Sequence, residues 1–229
     1  KQEQTVLDAV LSNLFGYHLL QVGRPNSHDL TRSSRITHRI QLDLDPDTDV
    51  EPPNGAERCI AEYHLLPMLS DSIDLVLLPH TLELSAEPHQ VLREVERTLI
   101  PEGHVVILGF NPLSMWGIRR AFTGWRGHVP WCSHFYTPTR VKDWLALLGF
   151  DTVVARGYFF RPPFSQQRLM ERLQFVERAG GRGSLLLSGA YVLVAKKRVA
   201  TLTPIRPRWR PRRSLIANGL AKPSVNSSR

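Results

Sequence analysis

The chain has 229 residues, with 29 Lys+Arg, 21 Asp+Glu, 42% hydrophobic residues, 17 Pro and 2 Cys, the composition of a globular protein and not of a collagenous or disordered one. Cys59 and Cys132 stand 73 positions apart, which excludes a disulfide framework and any Cys pair at zinc-ligand spacing, so a reducing, cytoplasmic setting is expected. The net charge of +8 is unevenly placed: residues 1–177 carry 17 Lys+Arg against 21 Asp+Glu, whereas residues 178–229 carry 12 Lys+Arg and no acid.

The chain starts polar, from Lys1 to Thr5, and does not read as a secretory signal; Lys1 in place of Met reads as a trimmed start. Val6, Leu7, Val10, Leu11 and Leu14 then recur at helical spacing, which predicts an N-terminal helix within residues 1–16, ending near Gly16. Tyr17 to Val22 is a short apolar run stopped by Gly23 and Arg24-Pro25-Asn26, the pattern of a strand. Residues 27–38 are polar and support only a short helix. Arg39 to Leu44 is a second strand, followed by an acidic, Pro-rich loop (Asp43, Asp45, Asp47, Asp49 and Glu51) that forbids a long helix.

Arg58 to Ala61 predicts a third strand, and Ile73 to Leu78 a fourth, apolar on both faces as a central parallel strand should be. Pro88 opens a helix whose Val91, Leu92, Val95, Leu99 and Ile100 share one face, with Pro101 to Gly103 as its stop. Val105 to Phe110 is strand five, Thr139 to Leu148 a helix closed by Gly149, Thr152 to Ala155 strand six and Ala190 to Ala195 strand seven. Alternating strands and helices argue for an α/β fold with a mostly parallel sheet. No apolar run approaches the ~20 residues of a membrane-spanning helix. The expected organisation is a domain over residues 1–198 and a basic, Pro/Arg-rich tail over 199–229, with disorder expected for the tail.

In such sheets ligands bind at the carboxyl ends of the strands, where strand order reverses. Gly23 ends strand one and Asp43 ends strand two, 20 positions later, the distance from a dinucleotide-fold glycine turn to its ribose-binding acid. Each residue also has a plainer reading. Gly23 serves equally as a tight turn, and Asp43 is one of five loop carboxylates.

The stretch from Ala61 to Phe110 carries more: Glu62, Leu66-Pro67, Asp74-Leu75-Val76, then Arg97, Leu99, Pro101 and Gly103. It resembles class I S-adenosylmethionine-dependent methyltransferases of the type 11 group. With FNPLSMWGIRR and VKDWLALLGF further on, the resemblance extends to the bacterial YafS-like branch, over about residues 14–197. It implies a Rossmann-like methyltransferase fold, with a seven-stranded, mostly parallel sheet and helices on both faces. It also implies S-adenosylmethionine as cofactor and an unidentified methyl acceptor, a small molecule foremost and RNA second.

Carried over residue by residue, the resemblance makes Gly23 the cofactor-loop glycine, Asp43 the ribose-hydroxyl acid and Glu62 the acid that accepts from the adenine amino group, with Tyr63 beside it. Leu65 and Leu66 are expected to pack on the adenine ring. His80, just past strand four, is the candidate to take a proton or contact the acceptor, with Glu83 next. Asn111, Pro112 and the segment Ser114 to Arg120 are expected to roof the acceptor pocket.

The chain departs from the family at strand one. Gln21 replaces the carboxylate that usually supports the cofactor's amino end, and the further glycines of the loop are missing. A rival reading is therefore a degenerate methyltransferase-fold scaffold. It would bind RNA or protein through the tail, where Arg206, Arg208, Arg210, Arg212 and Arg213 surround Trp209. A nicotinamide-dependent oxidoreductase is a second rival, and the missing GxGxxG counts against it. His128 and His134 lack companions at metal-ligand spacing, so no metal is expected.

Overall fold

Strands and helices alternate through the residues that the computed structural model of the chain describes, namely 2–23, 29–44, 52, 55–114, 134–158 and 188–198. They are α1 (Gln2–Leu11), β1 (His18–Val22), β2 (His38–Asp43), β3 (Ala56–Ile60), β4 (Ile73–Pro79), α2 (Thr81–Leu84), α3 (Pro88–Thr98), β5 (Leu99–Phe110), α4 (Pro138–Leu147), β6 (Phe150–Tyr158) and β7 (Ala190–Lys197). The strands form one seven-stranded sheet in the order β3-β2-β1-β4-β5-β7-β6. All neighbours are parallel except β7, which runs antiparallel to both β5 and β6. The chain builds outward from β1 to β3 and then returns to the other side of β1 with β4, so strand order reverses between β1 and β4.

The apolar strand runs explain why both faces must be covered. β4 is buried at every position except Asp74, as its unbroken Ile-Leu-Val pattern requires. On one face α1 buries Leu7, Val10 and Leu11 against Leu19, Leu75, Leu77, Val106 and Val192. On the other, α3 and α4 bury Val91, Leu92, Val95, Val141 and Leu145 against Leu20, Val76, Val105 and Leu193. Each such aliphatic side chain contributes about 1.5–3 kcal/mol through burial.

Several boundaries differ from the sequence pattern. α1 starts at Gln2 and ends at Leu11, because the polar first turn is helical although it buries little. α3 stops at Thr98: Leu99 adopts an extended conformation and pairs with Ile73, so the apolar Leu99-Ile100 pair opens β5 instead of prolonging the helix. Residues 29–37 hold only turns. α2, a single turn after β4, was not expected.

The motif residues of the 61–110 stretch largely hold this scaffold together. Asp74 accepts the backbone N–H groups of Tyr17 and His18 at 3.0 and 2.9 Å, which fixes the start of β1 beside β4. Arg97 donates to the carbonyls of Leu66 and Met68, both at 2.9 Å, and to Glu94. Glu94 in turn accepts the Leu66 N–H at 3.1 Å, so α3 clamps the loop that carries Leu66-Pro67. Lys197 closes the far side, donating to the carbonyls of Glu96 and Leu99 at 2.7 and 2.8 Å, where the last turn of α3 leaves acceptors unpaired. No helix among the described residues is long and apolar enough to cross a membrane.

Candidate functional site

Two polar clusters lie at the carboxyl edge of the sheet. The first stands where strand order reverses. β1 carries Gln21 next to its last residue and β2 carries Gln41 two residues before its end, and the two are register partners buried within a mostly apolar sheet. Each bonds forward by two residues: Gln21 Nε2 donates to the Gly23 carbonyl at 3.0 Å, and Gln41 Nε2 to Asp43 Oδ1 at 3.1 Å. Asp43 is only 7% exposed, and Arg58 Nε approaches its Oδ2 at 3.4 Å from β3. The Gln41 Oε1 atom is buried with no hydrogen-bond partner among the described residues.

Gly23 ends β1 at φ +85°, in the left-handed region that favours glycine, and its N–H donates to the Leu42 carbonyl at 2.8 Å. A Cβ at this position would lie 3.0 Å from Tyr63 Oη and 3.4 Å from Thr81 Oγ1. The Thr81 hydroxyl donates to the Val22 carbonyl. Tyr63 is thus brought to Gly23 from beyond β3, and it is 9% exposed. Burial, helped by the nearby Asp43 charge, pushes its phenol up to about 12. Gly23, Asp43 and Tyr63 therefore meet in one place.

Glu62 does not join them. It follows β3, an edge strand with a half-exposed pattern, and its side chain is 66% exposed, with Oε2 3.1 Å from His64 Nε2. Leu65 points outward at 64% exposure, while Leu66 is buried beside Tyr63 in the core. The expected pair of leucines against one ring slot is therefore divided between solvent and core.

The second cluster surrounds His80. This residue has φ 58° and follows β4 directly, a left-handed conformation that a side-chain-bearing residue seldom adopts. Its ring stacks on Phe110 at 4.2 Å between centroids. Nδ1 lies 3.1 Å from Glu83 Oε2 and Nε2 lies 3.6 Å from Glu3 Oε1, so a carboxylate faces each ring nitrogen. Burial alone would lower the imidazole pKa, yet Glu3 and Glu83 more than offset it and raise it to about 9. The ring is thus an imidazolium at neutral pH. Glu83 also accepts the Phe110 N–H. Tyr158 and Tyr191 lie close by, their phenols pushed upward by burial and by the Glu83 charge, with Glu3 acting on Tyr158 as well.

Asn111 is fully buried, and its Oδ1 accepts the Leu113 N–H at 3.1 Å, so it shapes the Pro112–Ser114 turn. Residues 115–133 lie outside the described residues, as do Arg24-Pro25-Asn26 and the tail from 199 onward. His134 is described: its N–H donates to the Glu83 carbonyl at 3.1 Å. No group of three or more His, Cys, Asp or Glu side chains able to hold a metal ion occurs among the described residues.

Sequence reasoning missed Glu3, Thr81, Gln41, Arg58 and Tyr158. A signal existed for Gln41, since a glutamine interrupts both strand runs at matching positions. None existed for Glu3, which reaches His80 only through the packing of α1 across the sheet.

Residues 36–107 match a methyltransferase domain family. YafS of Escherichia coli (strain K12), described as an uncharacterized protein, is 31% identical over 156 residues, covering 68% of this chain and 62% of YafS. A malonyl-[acyl-carrier protein] O-methyltransferase of Halorhodospira halophila is 30% identical over 116 residues, covering 50% of this chain and 39% of that protein. This chain therefore spans about 62% and 39% of the lengths of these two relatives. Among solved structures, a Thermotoga maritima S-adenosylmethionine-dependent methyltransferase, described as a possible histamine N-methyltransferase, has a TM-score of 0.65 at 14% identity, covering 86% of this chain and 90% of that one. A Haloferax volcanii chain solved in complex with the Trm112 methyltransferase activator has a TM-score of 0.62 at 16% identity, covering 86% and 89%. The strand order, the antiparallel β7 and these likenesses agree: the chain has the class I methyltransferase fold, and its residues 36–107 match the methyltransferase domain family.

Proposed function

We propose that this chain transfers a methyl group from S-adenosylmethionine to an acceptor. The observation that carries the reading is the meeting of Gly23, Asp43 and Tyr63 at the reversal of strand order. The residues suit a nucleoside. Asp43 has lone pairs beyond those engaged by Gln41 and Arg58, and the unpartnered Gln41 Oε1 adds a second acceptor nearby, as two ribose hydroxyls require. Gly23 keeps the backbone bare where a ligand must come close. Glu62, exposed at the rim, is left to meet the adenine amino group. Gln21 turns its amide inward to the Gly23 carbonyl, so the amino end of the cofactor needs another partner.

When bound, the cofactor supplies an electrophilic sulfonium methyl group, and the protein aligns the acceptor and excludes water. His80 serves the acceptor side. Glu83 fixes the ring through Nδ1 and Glu3 faces the Nε2 edge, so an incoming group reaches Nε2 by displacing Glu3. Near neutral pH this edge presents an N–H donor; as a base, His80 must first give its proton up. The acceptor is a small molecule foremost, with RNA second through the basic tail at 199–229, and the setting is cytoplasmic.

The test is transfer of labelled methyl from S-adenosylmethionine to fractionated cell extract. Label in the small-molecule fraction, lost with Asp43→Ala, supports the reading. No transfer to either the small-molecule or the RNA fraction by folded protein contradicts it.

A further inference from the structure

The ends of β1 and β2 are covered by one of the chain's own side chains. Tyr63 leaves the edge strand β3, yet its ring reaches past β2 to the end of β1, where Oη and Cζ lie 3.0 and 3.3 Å from the position of a Gly23 Cβ. It stands close enough to Asp43 for that carboxylate to act on its phenol. The polar backbone groups beneath it already have partners: the Val22 carbonyl takes the Thr81 hydroxyl, the Gly23 carbonyl takes the Gln21 amide, and the Gly23 N–H is given to Leu42. The ring therefore covers a finished floor and is not needed to satisfy it. A ligand that reaches Asp43 across Gly23 meets the phenol first.

We propose that Tyr63 is a gate, its inward ring competing with the ribose of a nucleoside cofactor for the place over Gly23 and beside Asp43. The inference rests on the cofactor reading given above. The gate opens by rotation of the Tyr63 ring about its side-chain bonds into another rotamer. A binding-competent form populated to about 1–10% lowers apparent affinity by that fraction. Removing the ring should therefore tighten binding by roughly ten- to hundredfold.

The experiment is calorimetric titration of the full chain with S-adenosylhomocysteine, using the parent, Tyr63→Ala and Tyr63→Phe. Tyr63→Ala should bind roughly ten- to hundredfold more tightly, and Tyr63→Phe, which keeps the ring, should stay within about threefold of the parent. Because alanine removes a buried ring from the core, the parent is also labelled with ¹³C-tyrosine. Its Tyr63 ring signal, assigned by its loss in Tyr63→Phe, should shift on saturation with S-adenosylhomocysteine. Binding by Tyr63→Ala alone also supports the gate. Equal or weaker binding by a folded Tyr63→Ala, or a Tyr63 signal that stays still while the parent saturates, overturns the gate and leaves the cofactor reading standing. Absence of binding by all three folded proteins removes both.

Discussion

Raising the pH should release the ion pairs around His80, and the size of the effect follows from the structure. The ring has a folded pKa of about 9 against an ordinary 6.5, because Glu3 and Glu83 outweigh its burial. Folding therefore favours the protonated form. The stabilisation is full below pH 6.5, declines above it and is gone once the pH has risen through about 9. That interval corresponds to on the order of 3 kcal/mol. Tyr158 and Tyr191 stay neutral across it, since both phenols are pushed above their ordinary range. The assay is urea unfolding between pH 6 and 10 for the parent and for His80→Asn, which is uncharged and tolerates the left-handed backbone at this position. The parent should lose up to about 3 kcal/mol more than the variant between pH 6.5 and 9.5. Glu3→Gln should move the midpoint of that loss to lower pH. Parallel pH profiles for the parent and His80→Asn would refute the buried ion-pair account.

Two substitutions test the scaffold beneath the site. Arg97→Met removes the donors to Leu66, Met68 and Glu94, and with Arg97 about one-third exposed the expected loss is about 2–3 kcal/mol in urea unfolding, with faster amide exchange in the Leu66 loop; a loss below about 0.5 kcal/mol would deny the clamp. Gly109→Ala places a Cβ 2.5 Å from Tyr191 Cζ, and in a core this tight the cost should be about 1–3 kcal/mol, partly recovered when Tyr191→Leu is added. Additive effects of those two changes would mean that ring and backbone do not collide.

What the sequence disclosed depended on how local each signal was. Strands such as Leu19–Val22 and Ile73–Leu78 announce themselves because two-faced burial demands unbroken apolar runs, and their alternation with helices gave the parallel sheet and its strand ends. The placement of Gly23 and Asp43 at the carboxyl ends of β1 and β2 was legible because each closes a strand run. The α3–β5 boundary was hidden, since Leu99 and Ile100 extend the apolar stripe of the helix just as they fit a strand. Only the pairing of Leu99 with Ile73 separates the two. The exposure of Glu62 was not legible, because the sequence does not say that β3 is an edge strand, whose end stands in solvent. The ionic setting of His80 was out of reach, because Glu3 lies at the far end of the sequence and arrives through the packing of α1. The family-like order of Asp74, Arg97 and Gly103 proved to be scaffold chemistry: each residue joins segments that the strand order brings side by side.

The central claim is that the cleft at Asp43 holds a nucleoside cofactor, and one titration addresses it directly. The purified chain and Asp43→Ala are titrated with S-adenosylmethionine by calorimetry, after circular dichroism has shown both to be folded. Loss of the carboxylate removes charge-assisted hydrogen bonds to two hydroxyls, so binding by the parent should weaken by about tenfold or more in the variant. Equal affinity of the two proteins, or no heat from the folded parent and from folded Tyr63→Ala alike, would contradict the account.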